Sequence, residues 1–139
     1  MEINRDIIEK IGQYRLRAGQ LVLNAEGLIR KGELEKAGEF LWGSIACYIN
    51  CVELLHTGKA HSGHKEMVIE AKNIATVAQD TRLFEAIVGA EKLHANYYHS
   101  IIPEDEFPEY YDKAKYAFVT IQRILGDELA SIVKISRDG

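Results

Sequence analysis

Residues 32–55, GELEKAGEFLWGSIACYINCVELL, contain the longest uncharged run of the chain, from Phe40 through Val52. Leu34, Leu41, Tyr48 and Leu55 recur every seven residues, and Ala37, Ile45, Cys51 and Val52 widen that line into a broad apolar face. Trp42, Ala46 and Ile49 fall on the opposite side. A helix that is apolar nearly all round must be covered on more than one side, by several helices of its own domain or by a partner chain. The uncharged run is too short for a bilayer, which needs about 20 residues. It therefore reads as a buried central helix. Gly38 and Gly43 each cost about 1 kcal/mol of helix propensity relative to alanine, which points to close approach by a neighbouring backbone.

The flanking sequence predicts four more helices. Between Ile3 and Arg30, Ile7, Ile11, Tyr14, Ala18, Leu21, Ala25 and Leu28 alternate steps of four and three. Gly32 supplies a left-handed cap, so the first two helices form a hairpin joined by a short turn. HTGKAHSGH, residues 56–64, loses periodicity and reads as a loop. A third helix runs from about Ser62 or Gly63 to Gln79. Asp80 and Thr81 cap a fourth, reaching Ile102 and stopped by Pro103. An acidic connection then leads to Pro108 in the first turn of a fifth helix, which extends to Ile132 past Gly126 and leaves SRDG as a frayed end. The expected architecture is an all-α, up-and-down bundle of five helices forming one domain over residues 1–139.

Composition narrows the function classes. The 139 residues carry 17 Lys and Arg against 21 Asp and Glu, a formal net charge of −4, which excludes a general polyanion-binding surface and leaves only a local one. The acidic, amphipathic start MEINRDIIEKIGQY lacks the pattern of a signal peptide, so a cytoplasmic, membrane-free protein is expected. Cys47 and Cys51 lie one helical turn apart, where side-chain directions disfavour a bridge, and read as buried free thiols.

Three groups of residues could carry chemistry. His56, His61 and His64 surround the second loop as candidate metal ligands, but their spacing matches no established pattern and the loop holds no carboxylate or thiol, so no metal or other cofactor is expected. His94, Asn96 and His99 lie near the end of helix four. Imidazole titrates near neutrality and can take and return a proton, so such a group could cleave RNA through the ribose 2′-hydroxyl without a metal. Positions five apart on one helix point about 140° from each other, however. On spacing alone His94 is a core histidine bonded to a neighbour and His99 a surface residue. Phe107, Pro108, Glu109, Tyr110 and Tyr111 offer rings for stacking amid acids that repel phosphate, and read as a helix-capping segment.

LIRKGELEKAGEFLWGSIACYIN, the histidine of SGHKEM and EKLHANYYH followed by an acidic loop and a last helix together resemble the HEPN superfamily, named for nucleotide binding in higher eukaryotes and prokaryotes. The likeness is closest to its small archaeal helical proteins encoded by repeated gene families. Catalytic members of that superfamily are metal-independent ribonucleases with an arginine, a polar residue two positions on and a histidine four to six beyond the arginine. The resemblance matches His99 to that histidine and Asn96 to the polar residue, while His94 stands where the arginine belongs. A histidine is only partly protonated near pH 7 and cannot clamp phosphate bidentately. The resemblance thus implies a catalytically weak or inactive homodimer whose two fourth-helix segments share a cleft. It would bind RNA, a nucleotide or a partner protein such as a nucleotidyltransferase. The alternatives are an active endoribonuclease, with His94 replacing the arginine, and a ligand-free helical interaction protein.

Overall fold

The computed structural model describes residues 4–60 and 63–138, the side chains of 64 and 133–138 excepted. Among these the chain forms five α-helices, one short 3-10 turn at Glu104–Glu106 and no strand. The helices are α1 (Arg5–Arg30), α2 (Leu34–Thr57), α3 (His64–Val77), α4 (Thr81–His99) and α5 (Phe107–Asp138). No helix among the described residues is long and apolar enough to cross a membrane.

The central helix is α2, which packs against all four others. Every residue from Cys47 to Leu55 is buried, so the helix that is apolar all round is covered all round by its own chain. Its burial therefore gives no argument for a partner. The close approaches at its glycines come from side chains rather than backbone. A Cβ on Gly38 would lie 3.1 Å from Leu93 Cδ2 and 3.2 Å from its Cβ, and one on Gly43 would lie 3.3 Å from Leu21 Cδ1. Both thiols are free and buried, and burial pushes Cys51 up to about 12 and raises Cys47 as well. Cys51 Sγ faces the Ile11 carbonyl at 3.6 Å.

The helix ends follow local rules, with three departures from expectation. Asn4 caps α1 by accepting from the Ile7 amide at 3.0 Å. At its far end Gly32 has φ +79°, Glu33 N donates to Leu28 O and Gly32 N to Ile29 O, both at 3.0 Å, which completes the Schellman motif that the glycine predicts. The end of α3 repeats this pattern without glycine. Asp80 N donates to Ala75 O and Gln79 N to Thr76 O, with Gln79 held at φ +54°. The second departure concerns α4. It ends at His99, ahead of Pro103, because Ser100 turns left-handed at φ +49° and donates its amide to Asn96 O at 2.8 Å. Pro103 is therefore not the stop. α5 starts with Pro108 in its first turn, as expected, and runs on to Asp138, beyond the expected end at Ile132.

An L-residue in the left-handed region costs about 1–2 kcal/mol. Gln79 is exposed, so Gln79→Gly is expected to stabilise the fold by about 0.5–1 kcal/mol once glycine's greater unfolded-state freedom is subtracted. Urea unfolding checks this. An unchanged or lower midpoint would mean that the α3–α4 junction does not hold Gln79 in that conformation.

Candidate functional site

The segment singled out at the end of α4 is divided among three environments. His94 turns toward α2, where its Nδ1 lies 2.8 Å from Glu39 Oε2 and 2.9 Å from Oε1. Its ring also lies 6.4 Å from Trp42 and meets Tyr98 edge-on at 5.3 Å. It is the partner-bonded histidine that its place on the apolar seam suggested. Glu39 sets a carboxylate where an arginine stand-in would need to present positive charge to phosphate. Asn96 is buried, and its Oδ1 accepts the Ile102 amide at 2.7 Å, which ties down the connection to α5. His99 lies exposed in the last turn and forms no hydrogen bond or ion pair among the described residues. One chain does not gather these three side chains at one point.

Next to them a cleft of about 380 Å³ opens between the α1–α2 turn and the α4–α5 connection, with Asn96, Tyr97 and Phe107 in its wall. Glu33, Glu35 and Glu104 line it against the single cation Lys36, so its charge disfavours phosphate. On the outside of α4 and just past its end, Tyr97 (40% exposed), Tyr98 (64%) and Ile101 (55%) stand in solvent, and the two tyrosine rings meet edge to face at 5.0 Å. This is an aromatic patch on a chain whose other rings are largely packed inward.

The loop histidines separate as well. His56 belongs to the last turn of α2, where its Nε2 lies 3.0 Å from Glu128 Oε2 of α5 and its Nδ1 3.6 Å from Glu70 Oε1 of α3. The carboxylates absent from the loop are thus supplied by two other helices, and His56 bridges between them. His61 lies outside the described residues, as does the side chain of His64, which begins α3. Among the described residues no group of three or more His, Cys, Asp or Glu is arranged to hold a metal.

Asp80 is the cap that its residue type predicts, and it makes a second bond that no local pattern announces. Its Oδ1 accepts the Leu83 amide at 2.9 Å, and its Oδ2 accepts the Tyr116 hydroxyl at 2.7 Å, joining the α3–α4 junction to α5. The Arg82 guanidinium covers the Tyr116 ring 4.0 Å from its centre. The Tyr116 bond and the Leu83 amide hold the Asp80 carboxyl below its ordinary 3.8, and the same bond raises Tyr116. A carboxyl whose folded pKa is depressed contributes stability above its unfolded value and loses it as pH falls through the folded one. The destabilisation caused by Asp80→Ala, read from thermal midpoints, is therefore expected to be full above pH 3.8 and to shrink below it. A pH-independent difference would mean that the charge contributes nothing. The only signal for this bond was one tyrosine on the polar side of α5, too little to name its partner.

No protein-family model, curated protein or solved structure matches this chain.

Proposed function

We propose that the chain is a HEPN-like binding module of the cytoplasm, homodimeric and without ribonuclease activity. Its recognition surface is the aromatic end of α4. The observation that carries this reading is the exposed trio Tyr97, Tyr98 and Ile101, on the segment whose residues carry the HEPN resemblance. Large rings left in solvent form ready-made contact area for a partner. Glu33, Glu35 and Glu104 nearby oppose phosphate, which favours a protein partner, such as a nucleotidyltransferase-like protein, over RNA or a nucleotide. The commitment of His94 to Glu39 and of Asn96 to the Ile102 amide supports the absence of catalysis.

The test combines light scattering with incubation in EDTA against single-stranded and structured RNAs, for the wild type and His99→Ala. A dimer that cleaves none of them is expected, with Tyr98→Ala weakening recovery of a nucleotidyltransferase-like partner in pull-down. Cleavage lost in His99→Ala would establish the ribonuclease instead. That second reading is favoured by one observation, the exposed and unbonded His99 ring. A monomer would overturn the homodimer that the HEPN resemblance implies.

A further inference from the structure

Two faces of α1 carry the same alternation of four- and three-residue steps, and only one of them is used. The inner series, from Ile7 to Leu28, packs on α2, the one helix with which α1 makes extensive contact. Two residues out of phase, and so on the opposite side of the helix, lies a second series: Arg5, Glu9, Gly12, Leu16, Gly19, Leu23, Glu26 and Arg30. Its middle is uncharged and open. Leu16 is 66% exposed and Leu23 68%, with Ile8 at 45% beside them. A Cβ added to Gly12 or Gly19 would meet nothing within 4 Å. Each of these glycines costs helix propensity, and no close approach within the chain explains either.

The order of large and small residues along this seam is self-complementary. A two-fold axis crossing α1 between residues 17 and 18 sets Leu16 against the partner's Gly19 and Leu23 against the partner's Gly12, each leucine over a glycine. It also sets Ile8 level with the partner's Gly27. The same axis brings Arg5 and Glu9, which lie 3.6 Å apart in one chain, together with the partner's Arg30 and Glu26. Each end then holds two arginines and two glutamates and is neutral overall, although Arg5 is level with the partner's Arg30 and Glu9 with the partner's Glu26, so the complementarity lies in the leucines and glycines and not in the charges. An isologous contact requires a patch that is its own complement, and an antiparallel heptad seam has that property when one of its two core positions is small and the other large. A parallel arrangement would face glycine with glycine and leave voids along the seam.

We infer that the outer face of α1 is a homodimer interface, in which two copies of this chain lie antiparallel with the leucines of each seated over the glycines of the other. This places the dimer contact on α1 instead of at a cleft shared by two α4 segments, and it does not depend on partner binding by α4.

The test is the solution mass of the full chain by light scattering or sedimentation, with circular dichroism to confirm folding. The wild type is expected at the mass of two chains. Leu16→Glu and Gly19→Leu are both expected to fall to the mass of one while keeping helical content, because Leu16 is 66% exposed and a Cβ at Gly19 meets nothing within 4 Å. A mixture of Leu16→Cys and Gly19→Cys proteins is expected to form the mixed disulfide on oxidation, which the antiparallel register requires. A wild-type monomer would overturn the inference. So would a dimer that survives Leu16→Glu and Gly19→Leu but dissociates with Tyr98→Glu, which would place the contact on α4. Dissociation by Leu16→Glu in a protein that binds no partner through α4 would leave this interface standing and retire only the functional reading above.

Discussion

Leu93→Ala is expected to cost the fold about 2–5 kcal/mol, a large share of the roughly 5–15 kcal/mol that holds a typical domain together. Leu93 is fully buried on α4, and its side chain fills the space that Gly38 leaves on α2. Truncation removes apolar contact and opens a cavity at the junction of two core helices. The glycine makes the prediction more specific than a generic core deletion. Gly38→Ala in the wild type sets a methyl 3.1 Å from Leu93 Cδ2 and 3.2 Å from its Cβ, so Leu93 must shift, and the roughly 1 kcal/mol gained in propensity is offset by overpacking. With Leu93 truncated, the Cδ2 contact is gone, the 3.2 Å contact with Cβ remains, and the new methyl occupies part of the cavity. The double variant is therefore expected to recover stability relative to Leu93→Ala, with a coupling of about 0.5 kcal/mol or more in a double-mutant cycle. Urea denaturation measures all four proteins. Additive effects would show that the two positions do not interact.

Asn96→Ala is the second large effect, expected at about 1–3 kcal/mol. The buried Oδ1 is the acceptor of the Ile102 amide at 2.7 Å, and alanine leaves that donor without its partner. Stability should fall, and hydrogen exchange at Ile102 should accelerate relative to amides in α2. The effect also bears on function. Any change that Asn96→Ala makes in RNA cleavage or partner binding must be corrected for loosening of the α4–α5 connection, whereas His99, exposed and unbonded, can be replaced without that correction. Unchanged exchange at Ile102 would mean that Asn96 does not hold the loop.

Local rules reached a long way in this chain. The Gly32 turn, the Asp80 cap, Pro108 at the start of α5 and two buried thiols on α2 all depend on residues a few positions apart, and all are found where spacing placed them. His94 as a bonded histidine was legible from its place on the apolar seam, although Glu39 as its partner was not. The end of α4 misled because Pro103 is a strong helix breaker by rule, while Ser100 adopts a left-handed conformation that its residue type does not announce. At Gly38 and Gly43 a small residue signalled close approach correctly, but a glycine makes room equally for a backbone or for a side chain such as Leu93.

By itself, the sequence determined five amphipathic helices and the burial of α2 on every side, because helical periodicity writes a helix's wet and dry faces into its own residues. Only the tertiary structure decided which helix covers which face. The joining of His56 to Glu128, of His94 to Glu39 and of Asp80 to Tyr116 spans dozens of positions, and no local pattern encodes a partner that far away. The same holds for the outer seam of α1. Its heptad is present in the sequence, but that the fold leaves this face open follows from the packing of the other four helices around α2.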